Sequence, residues 1–95
     1  LEYLDLQYNK IQDFDKRSFY ELVNLKFLFL GFNRIKFLHE TLFENLYNLI
    51  QLNLNHNQIS KIDYRSFKNL SKLQFLNLED NSLFKIEKGL FDFNH

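Results

Sequence analysis

The chain has 95 residues, 45% of them hydrophobic, and its 12 basic and 12 acidic residues give a formal net charge of zero. That length holds one domain, that hydrophobic content is typical of an ordered protein, and no apolar run approaches the ~20 residues of a membrane-spanning helix. The balanced charge argues against nucleic-acid and anionic-membrane binding, and the absence of cysteine excludes disulfides, a thiolate nucleophile and a Cys-type zinc site.

Four copies of a 24-residue pattern fill the chain without insertion or deletion, at 1–24, 25–48, 49–72 and 73–95. Apolar residues keep this phase at repeat positions 1, 4, 6, 11, 14, 19 and 22, and Asn occupies position 9 of every copy. The one departure among the 28 apolar positions is Asn94 in the fourth copy. Such self-similarity is typical of a solenoid, in which each repeat buries its apolar face only against its neighbours.

Each copy begins with a predicted strand, and the four strands centre on residues 3–7, 27–31, 51–55 and 75–79. The Leu-x-Leu alternation at positions 4 and 6 places both Leu side chains on one face, which points inward. One strand cannot bury that face alone, so the repeats must stack and their strands must pair into a parallel sheet. The residues at positions 3, 5 and 7, and the exit residue at position 8, then point outward.

The Asn column follows each strand and consists of Asn9, Asn33, Asn57 and Asn81. It lies among apolar columns, so its amides must be buried and hydrogen bonded. Each amide has two N–H donors and a carbonyl acceptor, which suit free backbone groups where the chain turns. We therefore interpret the column as a structural ladder between repeats.

The return path at positions 10–24 is too short for a strand and a long helix. It predicts a compact turn or a single helical or 3₁₀ turn, pinned inside by the remaining apolar columns. This outer arc is wider than the strand arc, so the stack should curve with its sheet on the concave side.

The complete motif, L-x-x-L-x-L-x-x-N-x-I/L-x-x-I/L/F-x(4)-F-x-x-L, covers all 95 residues and resembles that of leucine-rich repeat proteins. The 24-residue length with Phe at position 19 is similar to the extracellular subclass found in Toll-type receptor and adhesion ectodomains. The resemblance implies an α/β leucine-rich repeat solenoid, a curved right-handed horseshoe with a parallel β-sheet on its concave face. It also implies an extracellular or ectodomain location, and protein binding on the concave face or an edge.

Complete members of that family close both ends of the stack with capping segments, which are often Cys-rich. Here Leu1 begins within the pattern and the chain stops at position 23 of the fourth copy. We therefore expect a single array, 1–95, that is uncapped at both ends and forms an internal part of a longer protein.

Aromatic side chains concentrate at the outward positions of the first two repeats. Phe27 and Phe29 share a strand face, with Tyr3 one rung from Phe27 and Tyr8 one rung from Phe32. Each ring can bury ~150–250 Å², which is enough for the patch to mark a partner site. The predicted partner-binding residues are Tyr3, Tyr8, Phe27, Phe29, Phe32, Asn53 and Phe75. The competing explanation is a compositional bias toward Phe.

Repeats 3 and 4 present polar side chains at the outward positions, namely Asn53, Asn55, His56, Asn77, Glu79 and Asp80. These side chains form either the hydrogen-bonding rim of the same interface or a solvated surface. Lys10, Arg34 and Lys36 follow the strands along one rim, and we interpret them as a solvated edge.

The sequence contains no arrangement that predicts catalysis. Its three histidines fall at different repeat positions and do not converge on a metal. A nucleophile–base pair and a Gly-rich phosphate loop are both absent. We therefore predict that the protein is not an enzyme and has no cofactor and no metal site.

The predicted function is non-catalytic recognition of a protein ligand or co-receptor, with no nucleic acid and no direct membrane contact. Two alternatives remain, a structural spacer within a larger solenoid and the regulatory arm of a multidomain enzyme. The sequon Asn69-Leu70-Ser71 lies on the predicted return path. In a secreted protein, Asn69 would carry a glycan that keeps the convex side free of partners.

Overall fold

The structure, a computed structural model, describes residues 1–83. Four parallel strands, one from each repeat, form a single sheet in the order β1-β2-β3-β4. The strands are β1 Tyr3–Asp5, β2 Phe27–Phe29, β3 Gln51–Asn53 and β4 Phe75–Asn77. The predicted parallel sheet is confirmed, and with it the leucine-rich repeat solenoid.

The strands end at position 5, whereas the sequence predicted that they continue to position 7. Backbone bonding between repeats does continue, since Leu6 N donates to Phe29 O at 2.8 Å and Tyr8 N donates to Gly31 O at 3.4 Å. At position 8 the extended backbone ends, because Tyr8 adopts a positive φ of 60°. The strands themselves are shorter than the alternation of Leu residues indicated.

The register of the sheet keeps the phase of the sequence repeat. Tyr3 pairs with Phe27, Phe27 pairs with Gln51, and Gln51 pairs with Phe75. In-phase pairing brings equivalent positions of neighbouring repeats together, so each column of the sequence becomes a column in space.

The inward columns form the hydrophobic core. Leu28, Leu30, Leu52 and Leu54 have no exposed side-chain surface, whereas Leu4 and Leu6 of repeat 1 are only partly buried. A stacked spine of rings from position 19 runs beneath the return path. Its members are Phe19, Phe43 and Phe67, with successive ring centroids 6.2 Å apart. Each fully buried ring stabilises the fold by about 1.5–3 kcal/mol.

The Asn column forms the predicted ladder. Asn33 Oδ1 accepts from Asn9 N at 2.9 Å and from Ile11 N at 3.0 Å, while its Nδ2 donates to Leu6 O and Leu30 O at 3.0 Å. Asn57 and Asn81 repeat this pattern one and two rungs further along. The amides of Asn33, Asn57 and Asn81 therefore link their own turns to the turn of the preceding repeat. The prediction that the whole column is buried is wrong for Asn9, which is exposed and whose side chain bonds only within its own repeat, because no repeat precedes it in this chain.

Short turns make up the return paths, as predicted. In repeat 3 the turn is a 3₁₀ helix, Tyr64–Phe67, whose N-cap Asp63 accepts from Arg65 N at 2.9 Å. Asp15 caps the turn of repeat 1 in the same way, accepting from Arg17 N at 2.9 Å. His39 occupies the equivalent position of repeat 2 and instead lies edge-on to the ring of Phe37.

A second amide ladder runs along the return paths and was not predicted. Asn45 Nδ2 donates to Tyr20 O and Asn48 Nδ2 to Val23 O, both at 2.9 Å. Asn69 Nδ2 donates to Glu44 O at 3.0 Å. These bonds fasten each return path to the one before it, on the side opposite the sheet.

Several predicted features of repeat 4 lie outside the described residues. They are the column positions Ile86, Phe91 and Asn94, together with His95. The array boundaries and the uncapped ends accordingly stay predictions. Within residues 1–83, the helical segments are too short and too polar to cross a membrane.

Candidate interaction surface

The strand face is defined here as the outward side chains at positions 3, 5, 7 and 8 of the four repeats. Its members are Tyr3, Asp5, Gln7, Tyr8, Phe27, Phe29, Gly31, Phe32, Gln51, Asn53, Asn55, His56, Phe75, Asn77, Glu79 and Asp80. Positions 3, 5 and 7 lie opposite the Leu columns at positions 4 and 6, because side chains alternate along a strand. Position 8 follows the strand, and its left-handed backbone directs its side chain to the same face. Every residue predicted to bind a partner lies on this face.

The first aromatic cluster lies on β1 and β2. The Tyr3 ring centroid is 6.3 Å from that of Phe27 and 5.1 Å from that of Phe29, with both pairs tilted. Tyr3 is 56% exposed, whereas the two Phe side chains beside it are half-buried. Phe27 and Phe29 are therefore less exposed than their outward positions predicted, because they pack against their neighbour in repeat 1.

The second aromatic cluster is a stack at position 8. The Tyr8 and Phe32 rings are nearly parallel, with centroids 4.5 Å apart, and the Phe32 ring stacks on His56 at 4.2 Å. His56 Nε2 lies 3.1 Å from Asp80 Oδ2, so a carboxylate ends the stack. Tyr8 is 70% exposed, which leaves the outer face of the stack open to a partner.

An unusual backbone conformation produces this stack. Tyr8, Phe32, His56 and Asp80 have φ angles of 60°, 55°, 54° and 55°, in the left-handed region that favours glycine. Each of the first three donates its N–H to the carbonyl at position 7 of the next repeat, at 3.4, 3.0 and 2.8 Å. These bonds hold the conformation in repeats 1 to 3 and align the side chains into one column.

The polar residues of the strand face mainly bond to one another along each strand. Gln7 donates from both its backbone and its side chain to Asp5 Oδ1, at 3.0 and 3.1 Å. Gln51 Nε2 donates to Asn53 Oδ1 at 2.9 Å. The predicted contact residue Asn53 thus already accepts one hydrogen bond at its side-chain oxygen.

Gly31, at position 7 between the two aromatic clusters, lies very close to the side chain of Asn55. A Cβ added to Gly31 would lie 2.5 Å from Asn55 Oδ1, because the Asn55 side chain leans over the glycine. That oxygen is buried and has no hydrogen-bond partner within the described residues. Gly31 therefore matters for its lack of a side chain, since it makes room for the Asn55 amide.

The structure brings most of the predicted contact residues together. Tyr3, Phe27 and Phe29 form one cluster and Tyr8 and Phe32 part of the other, whereas Phe75 lies apart on β4, beyond Gln51, and is 60% exposed. Sequence reasoning placed His56 and Asp80 at the same repeat position but did not predict their contact. The signal was their common position 8, directly before the Asn ladder.

Asn69 lies away from the strand face, on the return path, as predicted from its repeat position. It is half-buried there because its amide belongs to the second ladder. Its glycosylation stays a prediction, and a glycan attached to Nδ2 would share that atom with the bond to Glu44.

A cleft of about 360 Å³ lies away from the strand face, lined in part by Phe37, His39 and Lys61. On its edge, Arg65 contacts Asp63 at 2.7 Å and Glu40 at 3.1 Å. The hydrogen bonds that Asp63 accepts from Arg65 lower the pKa of that carboxyl to about 2. Phe37 is 59% exposed, an aromatic side chain outside the strand face that the sequence analysis did not single out.

No group of three or more potential metal ligands occurs among residues 1–83. The His56–Asp80 pair has two such side chains, and it lies open at the end of the aromatic stack. The strand face therefore offers flat rings, amides and carboxylates, which are groups for recognition.

A family model described as Leucine rich repeat matches residues 1–35 and 28–83. A search of curated proteins found no match. Several solved structures are similar to this chain over nearly its whole length. One chain of the LRIM1/APL1C complex has a TM-score of 0.94 and 31% identity over 98% of this chain. The TLR13–ssRNA13 complex gives 0.92 and 33% over 98%, and the Drosophila Toll–Spatzle complex gives 0.86 and 28% over 97%.

This chain corresponds to 17%, 13% and 12% of the lengths of those three chains, respectively. Two of the three structures are complexes between proteins, and the third contains a single-stranded RNA. Because a single-stranded RNA occurs in one of these structures, the comparisons do not support the predicted exclusion of nucleic acid.

Proposed function

Because this chain belongs to the leucine-rich repeat family, we propose that it is a non-catalytic recognition segment whose strand face binds a protein partner. We place it in the ectodomain of a receptor or adhesion protein. The likeness to LRIM1/APL1C, Toll and TLR13 chains supports recognition as the function of the repeats. The same likeness and the repeat subclass support an extracellular location.

The observation that carries this proposal is the exposure of aromatic rings that the core does not use. Tyr8, Phe75 and Tyr3 are 70%, 60% and 56% exposed on the strand face. None of these three rings belongs to the hydrophobic core, which is formed by the inward Leu, Ile and Phe columns and is buried in repeats 2 and 3. Exposed aromatic clusters of this kind are typical of the hot spots at which proteins bind one another.

A structural spacer and a regulatory arm of an enzyme are the alternatives. A spacer needs the Leu and Asn columns but has no need for stacked rings at position 8, where the backbone is strained. A regulatory arm also binds a protein, so it differs only in what the rest of the protein does. The strand-face aromatics favour recognition over the spacer.

The test of the proposed function uses the full-length protein with a photoreactive benzophenone amino acid at Tyr8 or, as a control, at Phe37. Irradiation in the fluid that surrounds the protein in its native tissue should yield a protein adduct from position 8 and none from position 37. Both sites carry an exposed aromatic ring, so the comparison separates binding by the strand face from non-specific binding to exposed rings.

Affinity for the captured protein is then measured with Tyr8→Ser, Phe27→Ser and Phe29→Ser. We expect each to weaken binding by about 2 kcal/mol, as hot-spot truncations do. Phe27 and Phe29 are half-buried, so replacing them also affects folding, and thermal unfolding is measured on the same proteins. Tyr8 is exposed, so Tyr8→Ser tests binding with the least effect on folding. Phe37→Ser and Lys61→Ser, on the off-face cleft, should leave affinity unchanged. Normal binding by all three strand-face variants would leave the spacer as the better explanation.

A further inference from the structure

The charges of the strand face indicate what chemistry its partner carries. Among the 16 strand-face residues there are three carboxylates, Asp5, Glu79 and Asp80, and no Lys or Arg. The chain as a whole is neutral, so this face is acidic relative to the rest of the molecule. We propose that the partner presents an apolar anchor for the aromatic clusters and a Lys or Arg side chain for Glu79 and Asp80. This inference rests on the proposed function, because it specifies the partner of the same face.

The two ends of the face differ in kind. Repeats 1 and 2 carry the exposed rings of both aromatic clusters, whereas Glu79 and Asp80 lie at the exit of β4. The stack at position 8 joins the ends, since it runs from Tyr8 through Phe32 and His56 to the Asp80 carboxylate. A partner that lies along this stack meets rings first and carboxylates last.

The carboxylates at the acidic end are available to a cation. Glu79 and Asp80 are both exposed, and no ion pair to Glu79 occurs within residues 1–83. Asp80 has His56 as its neighbour at 3.1 Å, through one of its two oxygens. Two carboxylates that follow one another in the sequence, with Asp80 beside the His56 ring, suit a guanidinium group, which binds carboxylates through its N–H fork and stacks on aromatic faces.

Within residues 1–83, the basic residues close in sequence to the strand face do not cancel its charge at this end. Lys26 lies 3.4 Å from Glu2 and is paired with it. Lys10 and Arg34 belong to repeats 1 and 2, two residues beyond Tyr8 and Phe32, on the rim beside the aromatic end. Asp5 therefore shares the aromatic end of the face with Lys10 and Arg34 on the rim, whereas Glu79 and Asp80 of repeat 4 do not. This difference sets the direction in which a partner's cation binds.

The distance between the two ends of the face predicts the distance between the apolar anchor and the basic side chain of the partner. Adjacent strands lie ~4.8 Å apart, so Phe32 and Asp80, two rungs apart, are separated by ~10 Å. An extended chain advances ~3.3 Å per residue, so an apolar anchor over Phe32 and a basic side chain at Asp80 lie about three residues apart. A polyanion such as nucleic acid would place phosphates against Asp5, Glu79 and Asp80, with no cation on the strand face to receive them.

The test is a selection on the full-length protein from a phage library of disulfide-constrained random peptides. Clones are kept when Tyr8→Ser and Phe32→Ser abolish their binding, because these clones use the strand face. We expect such clones to contain Lys and Arg at least about threefold more often than Asp and Glu, with an apolar residue about three positions from the basic one. Equal or greater enrichment of acidic residues would overturn the inference while leaving the proposed function intact.

The carboxylates are then tested with the selected clones. The double variant Glu79→Gln with Asp80→Asn should weaken these clones about tenfold at low salt and less at high salt, since exposed charges are screened. Glu21→Gln, an exposed carboxylate on the return path, is the matched control and should leave affinity unchanged. Unchanged affinity in the double variant would also overturn the inference.

Two further outcomes separate this inference from the proposed function. If no selected clone depends on Tyr8 or Phe32, the strand face does not bind polypeptides, and both proposals fail together. If a mixed-sequence single-stranded RNA oligonucleotide binds and Tyr8→Ser abolishes that binding, the face serves nucleic acid, and the basic partner is wrong.

Discussion

Single residues of the strand face hold conformations that the rest of the stack must enforce. A non-glycine residue with positive φ costs about 1–3 kcal/mol, and Tyr8, Phe32, His56 and Asp80 all adopt one. The rings stack at 4.5 and 4.2 Å, and the backbone N–H groups bond the next repeat. Lys10, outside the strand face, also has a positive φ of 60°. At the four position-8 residues the left-handed backbone fixes the direction of side chains on the strand face.

Gly31 and Asn55 supply the first residue-scale prediction. Gly31→Ala should destabilise the fold by about 1 kcal/mol, because its Cβ meets Asn55 Oδ1 at 2.5 Å and the amide must move. Asn55→Ala should cost little, since it removes a buried oxygen that lacks a partner among residues 1–83. In the Asn55→Ala background, Gly31→Ala should become neutral or nearly so.

Chemical denaturation of the four proteins gives the coupling free energy. Additive effects would mean that the Asn55 backbone carbonyl, 3.2 Å from the added Cβ, dominates the clash instead.

The Asp63 carboxyl supplies the second residue-scale prediction. Its pKa is about 2 in the folded chain against 3.8 ordinarily, first because of the side-chain hydrogen bond from Arg65 and then because of the backbone one. A depressed folded pKa contributes stability that is present above pH 3.8 and is lost as the pH falls through about 2. Carboxyl ¹³C titration should show that the pKa of Asp63 rises toward 3.8 in Arg65→Ala and rises less in Lys61→Ser. A larger rise in Lys61→Ser would contradict the assigned cause.

At the scale of the repeat elements, the period of the sequence was sufficient to predict the sheet, its register and the buried Asn ladder. Those features depend on columns that recur in every copy, so one repeat constrains the next. The second amide ladder escaped prediction because position 21 is Glu21 in repeat 1 and becomes Asn only at Asn45 and Asn69. The His56–Asp80 contact escaped because it depends on a left-handed backbone that the hydrophobic pattern does not encode.

The Asn ladder carries the element-scale prediction. Asn33→Ala and Asn57→Ala should each lower the free energy of unfolding by about 1–3 kcal/mol, because both leave buried backbone groups without a partner. Asn9→Ala is the matched control with a smaller expected effect, since Asn9 is exposed and its Nδ2 bonds only Leu6 O and Gln7 O. Denaturant midpoints of the three variants test this. A midpoint in Asn33→Ala as high as that of Asn9→Ala would show that the ladder contributes nothing beyond solvation.

For the whole molecule, stacking order determines how well each repeat is buried. Leu28 and Leu30 lie between two neighbours and are fully buried, whereas Leu4 and Leu6 of repeat 1 have a neighbour on one side only. The outer edge of β1 is also unpaired within the described residues, because the sheet order places β1 first. The same solenoid geometry that builds a continuous strand face therefore leaves an apolar, strand-bearing edge beside it.

The final prediction follows from that edge. The 95-residue chain, studied by itself, should associate with rising concentration or melt at low temperature, because an exposed strand edge flanked by partly buried Leu columns pairs readily with another chain. Sedimentation velocity at several concentrations measures the association. Leu1→Lys, at a side chain that is 69% exposed beside β1, should reduce it by placing a charge on the edge. The matched control is Val23→Lys, which adds the same charge at a 41% exposed site on the return path and should leave association unchanged. A chain that stays monomeric and unfolds cooperatively at every concentration would show that repeat 1 closes the stack without further cover.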